Sequence, residues 1–411
     1  MELRTYQKEI SKKATDILKH YKFVYLAMEV RTGKTFTSLA VCQQLKVDNI
    51  LFITKKKAIS SISDDEVKLN ECWNFWCINY ESLHKLPDIK WDMIICDEAH
   101  SLGAFPKPSK RAKQVKEIID VSNPYVIFLS GTPTPESFSQ MYHQVYGCPL
   151  NPFSKYRNFY RFADDHVNKI EKMINGFRVT DYSKGRESIK HLMQPYTISY
   201  TQKEAGFQSE IKERFLNVDI DPYVYAMCEE LKRERAIEMD GELILADTPV
   251  KLMSKLHQMY SGTVKFESGN TTVLDTSKAE YIKRTFKDKK IGIFYKFKAE
   301  LDALKKVFGD QLVTDLPSFD DSDKGKVIAL QIVSGREGIS LRKADYIVYY
   351  NIDFSATSYW QSRDRMTTKT RLNNKVYWIF TKKGIEPRIY KAVSNKKDYT
   401  LRHFKRDLLS L

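Results

Sequence analysis

Gly33-Lys34-Thr35 stands between an apolar run at 23–27 and a helix-like run at 37–45. Strand, tight glycine loop and helix together make a phosphate cradle, because backbone amides and a helix N-terminus favour anions. In such a cradle Lys34 would reach the outer phosphates, and the Thr35 hydroxyl would hold Mg2+. Asp97-Glu98 follows the apolar run 93–96 without a break. A strand buried on both faces would deliver both carboxylates to its tip, Asp97 to hold Mg2+ through water and Glu98 to orient an attacking water. A third apolar run, 125–129, ends in Ser130-Gly131-Thr132-Pro133. Toward the C-terminus Arg363, Arg365 and Arg371 form a basic cluster.

These residues need elements to carry them. Leu3, Tyr6, Ile10, Ala14, Ile17 and Leu18 follow helical spacing, so the chain opens with an amphipathic helix. Gln7 lies on it, and a glutamine amide that donates and accepts at once suits an adenine edge. The strand 49–54 ends in Lys55-Lys56-Lys57, where lysines could grip a nucleic-acid backbone. Strands alternate with helices, which indicates an α/β fold with a doubly wound parallel sheet. From 134 to about 190 the pattern fades into an aromatic stretch, read as the core of a helical insertion in preference to a base-stacking platform. Residues 196–201 read as a strand closing the first lobe. A charged helix is expected from Pro222 to about Met239, stopped by Asp240-Gly241, with a second at 251–262. Alternation then resumes, with strands at 290–295, 311–314, 327–333, 346–350 and 376–381. This is a second sheet of the same kind, without a phosphate loop.

Composition narrows the classes. The 411 residues carry 67 Lys and Arg against 52 Asp and Glu, a formal charge of +15. That excess favours a polyanionic partner. No apolar run approaches the roughly 18 residues of a membrane span. The N-terminus, Met1-Glu2-Leu3-Arg4, shows no signal-peptide core. The six cysteines form no CxxC pair, which suits reduced thiols in the cytoplasm.

Taken together, the motifs resemble helicase superfamily two, and within it the Swi/Snf-type DNA translocases, over nearly the whole chain. Gln7 matches the family's adenine-contacting glutamine. Residues 29–35, with Arg31, Thr32, Gly33, Lys34 and Thr35, match its phosphate loop, although Met28 stands where the full pattern has Gly. Thr54-Lys55-Lys56 and Asn79-Tyr80-Glu81 match strand-contacting segments. Asp97-Glu98-Ala99-His100 matches the DEAH box, and Ser130-Gly131-Thr132-Pro133 the motif that couples hydrolysis to DNA. Residues 331–341 match a further motif: Ser334 falls among the nucleic-acid contacts, and Gly338 would let backbone approach DNA or the other lobe. Gln361 opens the motif that carries the arginine fingers. Arg365 takes the first finger position, Thr368 stands at the second, and Arg363 and Arg371 are the nearby substitutes. A finger supplied in cis can be worth on the order of 10^3–10^5 in rate. The paired Arg usual near 196–201 is absent.

The resemblance implies two RecA-like parallel-sheet lobes in tandem, 1–209 and 210–411, with helical insertions at about 134–190 and 222–262. It implies ATP and Mg2+ as cofactors, a nucleotide sandwiched between the lobes, and DNA held through its phosphate backbone. The compact chain resembles viral or phage-encoded members serving replication, recombination or repair, so replication or recombination proteins are possible partners. Three other readings stand beside a translocase: a strand-separating helicase, a non-enzymatic nucleic-acid scaffold with an altered finger motif, and an unrelated P-loop phosphotransferase.

Overall fold

Four consecutive residues, Met93 to Cys96, are wholly buried, as a strand covered on both faces requires. In the computed structural model the same holds for most strands of a six-stranded parallel sheet. The structure describes residues 3–69, 72–174, 177–207, 210–335, 339–368 and 373–395. The chain folds as two units, 1–207 and 208–411.

The first unit contains β1 (Phe23–Met28), β2 (Asn49–Thr54), β3 (Asn74–Asn79), β4 (Met93–Cys96), β5 (Tyr125–Leu129), a hairpin of β6 (Ile170–Ile174) and β7 (Phe177–Asp181), and β8 (Thr197–Tyr200). The sheet order is β3-β2-β4-β5-β1-β8, with every pairing parallel. Alternate residues of β1 feed two cores. Val24, Leu26 and Met28 pack with Leu18 and Leu39 of the helices Thr5–Tyr21 and Lys34–Leu45. Phe23 and Tyr25 pack with Val115 and Ile119 of the helix Lys110–Ser122. Tyr142, Phe153, Phe159 and Phe162 join that second core, so the aromatic stretch is foundation. The expectation of a purely helical insertion at 134–190 is corrected, because its outer part is the β6–β7 hairpin. Among the described side chains of those strands none is buried, so no core-facing stripe marks them out.

The second unit contains β9 (Glu210–Val218), β10 (Ala236–Met239), β11 (Glu242–Leu245), β12 (Thr263–Lys265), β13 (Thr271–Val273), β14 (Ile291–Tyr295), β15 (Leu312–Val313), β16 (Val327–Gln331), β17 (Tyr346–Tyr349) and β18 (Asn373–Thr381). Its six-stranded parallel sheet runs β15-β16-β14-β17-β18-β9. The two parallel-sheet lobes in tandem, RecA-like in kind, are therefore present. The charged helix from Pro222 ends at Glu234, with Arg235 left-handed, instead of running to Met239. Residues 236–239 pair with β11, and Asp240 and Gly241, at φ 52° and 75°, make the hairpin turn between them. A two-residue turn with both φ positive matches strand twist, which is why Asp-Gly suits it.

Candidate active site

In the first sheet the strand ends bearing chemistry share one edge. The Gly33 loop follows β1, Asp97-Glu98 follows β4, and Ser130 follows β5, which lies between them. Ligands of open parallel sheets bind beyond this edge. Gly33 caps the helix Lys34–Leu45 at φ 81°, and a Cβ there would run into the Gln7 amide. Only glycine takes that backbone and that approach without strain. Arg31 holds φ 64° without being glycine, at a cost of about 1–2 kcal/mol stored in the loop. Lys34 Nζ donates to the carbonyls of Met28 (3.0 Å) and Glu29 (3.3 Å). The Thr32 hydroxyl donates to Glu29 O at 2.7 Å, and Thr32 is buried. Thr35 stands half-buried in the first turn of the helix.

Gln7 lies against this loop: its amide donates to Gly33 O at 3.2 Å, and its oxygen accepts from Arg4 N at 3.0 Å. Two further braces were not legible. Tyr6 donates to Thr32 O at 3.1 Å and stacks on Tyr200 with ring centroids 4.7 Å apart. Gln202 donates its backbone N–H to Glu29 Oε2 (2.7 Å) and its side-chain amide to Val30 O (3.0 Å). Both are one residue from something marked, Gln7 and the end of the closing strand, but no residue type distinguishes them.

The carboxylate tip is tightly organised. Burial, with the adjacent Glu98 charge, pushes the Asp97 carboxyl up to about 6, opposed by the Lys34 ammonium and the Thr54 hydroxyl. Thr54 donates to Asp97 Oδ2 at 2.8 Å and is wholly buried. Tyr80, also buried, donates its hydroxyl to Asp97 O at 2.7 Å. The expectation that Thr54 and Tyr80 touch nucleic acid is therefore corrected. Neither has surface to offer, and both hold the Asp97 turn. Lys55 is half-buried and Lys56 exposed at the same strand end. Glu98 sits at φ 49°, and its Oε2 is 3.2 Å from His100 Nδ1. His100 Nδ1 is 3.1 Å from Ser130 Oγ, which accepts from Thr132 N at 3.1 Å. A polar chain thus runs from Glu98 through His100 to the Ser130-Gly131-Thr132 turn. The donor set fits Mg2+, which takes one or two carboxylates plus phosphate oxygens in preference to an all-protein cage. No group of three acidic, His or Cys ligands occurs among the described residues.

In the second unit one carboxylate collects four donors. Glu213, on β9, accepts from Tyr359 Oη (2.8 Å), Arg363 Nη1 (2.7 Å), Trp378 Nε1 (3.0 Å) and Tyr390 Oη (2.6 Å). Arg363 also lies 4.0 Å over the Trp360 ring. Arg363, one of the expected substitute fingers, is held by that ion pair and ring face inside its own unit. Arg365 is half-buried, with Nη1 3.4 Å from Ile339 O. Gln361 is 4% exposed, and its Oε1 has no hydrogen-bond partner among the described residues. Gly338 and Arg371 lie outside the described residues, and of Ser334 only the backbone is described.

A glycine loop, a carboxylate pair and a polar chain to the intervening strand tip, set on the first of two parallel sheets, resemble the ATPase core of helicase superfamily two. Residues 34–219 match the SNF2-related domain, the Swi/Snf type within that superfamily. That family comprises ATP-using, DNA-translocating motors. Among curated proteins the chain is similar to the RNA polymerase-associated protein RapA of Yersinia pseudotuberculosis, 28% identical over 141 residues. The RapA protein of Yersinia pestis is 27% identical over 141 residues. These matches span 33% of this chain and only 14% of the relatives' length. Among solved structures, the Sulfolobus solfataricus SWI2/SNF2 ATPase core in complex with dsDNA aligns over 96% of this chain and 91% of its own, at 16% identity and TM-score 0.42. The same organism's SWI2/SNF2 ATPase core domain aligns over 96% and 89%, at 16% identity and TM-score 0.44.

Proposed function

We propose that the chain is a nucleic-acid-stimulated ATPase that moves along DNA, serving replication, recombination or repair. The observation that carries this reading is the chain Glu98–His100–Ser130–Thr132, which ties the water-orienting carboxylate to the tip of a neighbouring strand. A plain phosphotransferase has no need of that link. In the proposed cycle Lys34 leaves the Met28 and Glu29 carbonyls for the outer phosphates of ATP, while the amides of the Gly33 loop hold the inner ones. Thr35 and Asp97 would hold Mg2+, which supplies charge neutralisation at the phosphates. Glu98 orients the attacking water, and His100 carries its position to the Ser130 turn. DNA is gripped through phosphates, by Lys55 and Lys56 among others, with little sequence preference. The six cysteines, all free thiols, suit a reducing cytoplasm.

The test is turnover with single-stranded DNA, double-stranded DNA and RNA in parallel. Lys34→Ala is expected to abolish turnover while DNA binding survives; equal turnover in that variant refutes the assignment. One observation favours the scaffold reading instead: Arg363 is tied to Glu213, and Thr368 stands at the second finger position. Absence of nucleotide turnover with every nucleic acid would establish that reading.

A further inference from the structure

A cavity of about 560 Å3 opens in the second unit among the starts of three strands. Val327 lies in its wall and pairs in register with Ile291 and Leu312, the first residues of β14 and β15. The cavity is therefore on the edge of the sheet opposite the strand ends where nucleotide and nucleic acid are expected. Its size falls within the roughly 300–1,000 Å3 of ligand pockets. The floor is apolar, made by Phe286, Val307, Phe308 and Val327. The rim carries Lys283, Arg284, Lys287 and Lys306 against Glu280 and Asp288.

Two helices, Ser277–Thr285 and Lys298–Phe308, end here, and cations are favoured at helix C-termini. That accounts for Lys283, whose ammonium donates to Val307 O at 2.6 Å. It does not account for the concentration. Residues 283–290 carry five cations and one carboxylate, and Lys287 lies beyond the helix end. Among the described residues none of the four rim cations forms an ion pair, and the Glu280 carboxylate takes the Thr276 hydroxyl instead. Four cations against two carboxylates leave the rim around the apolar pit net positive, which favours an anionic partner.

We propose that this pocket binds an acidic protein segment, its carboxylates on Lys283, Arg284, Lys287 and Lys306 and one bulky apolar side chain on the Phe286–Phe308 floor. A nucleic-acid backbone satisfies cations but has no use for a concave apolar floor, so the peptide fits both features and the phosphates only one. A buried apolar anchor inside a polar rim is the arrangement in which few residues carry most of a binding energy.

The experiment uses the full chain and a fluorescein-labelled peptide of aspartates around one phenylalanine, read by anisotropy. Saturable binding is expected, weakening as salt rises. It should fall roughly tenfold or more in Lys287→Glu/Lys306→Glu, and comparably when the peptide phenylalanine becomes alanine. Circular dichroism and the thermal unfolding midpoint serve as the fold check, since neither lysine is buried in a core. The proposal is overturned by absence of saturable binding, by equal affinity in the double variant, or by indifference to the phenylalanine. It is equally overturned if a labelled oligothymidylate proves the ligand that loses affinity in the double variant.

Discussion

Thr54 offers a direct test of what holds the Asp97 carboxylate in place. Its place at a strand tip beside three lysines suggested a nucleic-acid contact, yet it is buried and donates to Asp97 Oδ2 at 2.8 Å. Thr54→Val keeps the shape and removes the donor. A hydrogen bond to a charged group contributes about 1.5–3 kcal/mol, or roughly 10- to 150-fold in an equilibrium constant. The Asp97 carboxyl already stands at about 6, with Thr54 among the groups lowering it. Losing the hydroxyl moves it higher still, so at neutral pH less of it is ionised. ATP turnover at limiting Mg2+ should fall about 10- to 100-fold, the usual cost of removing a ligand's supporting partner. The defect should shrink with added Mg2+ and with rising pH, because each favours the ionised carboxyl. Thr54→Ser, which keeps a hydroxyl, should stay near wild type. Nucleotide-free DNA binding should be unchanged in both variants. If Thr54→Val weakens DNA binding and leaves the Mg2+ dependence alone, the positioning argument is wrong.

Glu213→Gln leaves the Arg363 guanidinium without its counter-charge and should cost about 3 kcal/mol of stability in the second unit, read by chemical denaturation. Lys278 and Glu386 form a wholly buried pair at 3.0 Å. Lys278→Met alone should cost about 3–5 kcal/mol, while Lys278→Met with Glu386→Leu should recover most of it; equal losses would refute the buried-charge account. Burial holds the His143 imidazole down to about 4, while the unfolded chain titrates near its ordinary value. Between about 6.5 and 4 the unfolded state therefore binds the extra proton, so stability falls as pH drops, by about 3 kcal/mol in all. His143→Gln should flatten that limb of the acid denaturation curve. DNA binding should weaken steeply as salt rises, because neutralised phosphates release counterions.

The candidate site's strand ends were legible because each strand there is apolar on both faces and stops abruptly at polar residues, as at Cys96–Asp97. What surrounds those tips was not. The register pairs Ile53 with Cys96, and so sets Thr54 beside Asp97, a neighbour 43 positions away. Nothing in the residue types says that this hydroxyl faces the next strand and not the solvent. The Glu213 cluster is further from reach, since its four donors come from 146 to 177 positions along the chain. Asp240-Gly241 was read as a helix stop because the same dipeptide ends helices and turns hairpins. Only the pairing of Ala236–Met239 with Glu242–Leu245 decides between them.

The aromatic insertion also gains a purpose that composition did not suggest. Gln144, on its short helix Met141–Val145, is 3% exposed and satisfied at both ends. Its oxygen accepts from the Tyr25 hydroxyl at 2.7 Å, and its amide donates to Pro133 O at 2.8 Å. Tyr25 belongs to the strand that feeds the phosphate loop, and Pro133 closes the turn that ends the Glu98–His100–Ser130 relay. A buried amide is costly to leave unpaired, so neither end can shift alone without forfeiting a hydrogen bond. The Tyr142, Phe159 and Phe162 core fixes the helix that carries Gln144. Aromatic packing thus sets how rigidly the strand before the Gly33 loop and the Ser130 turn are joined.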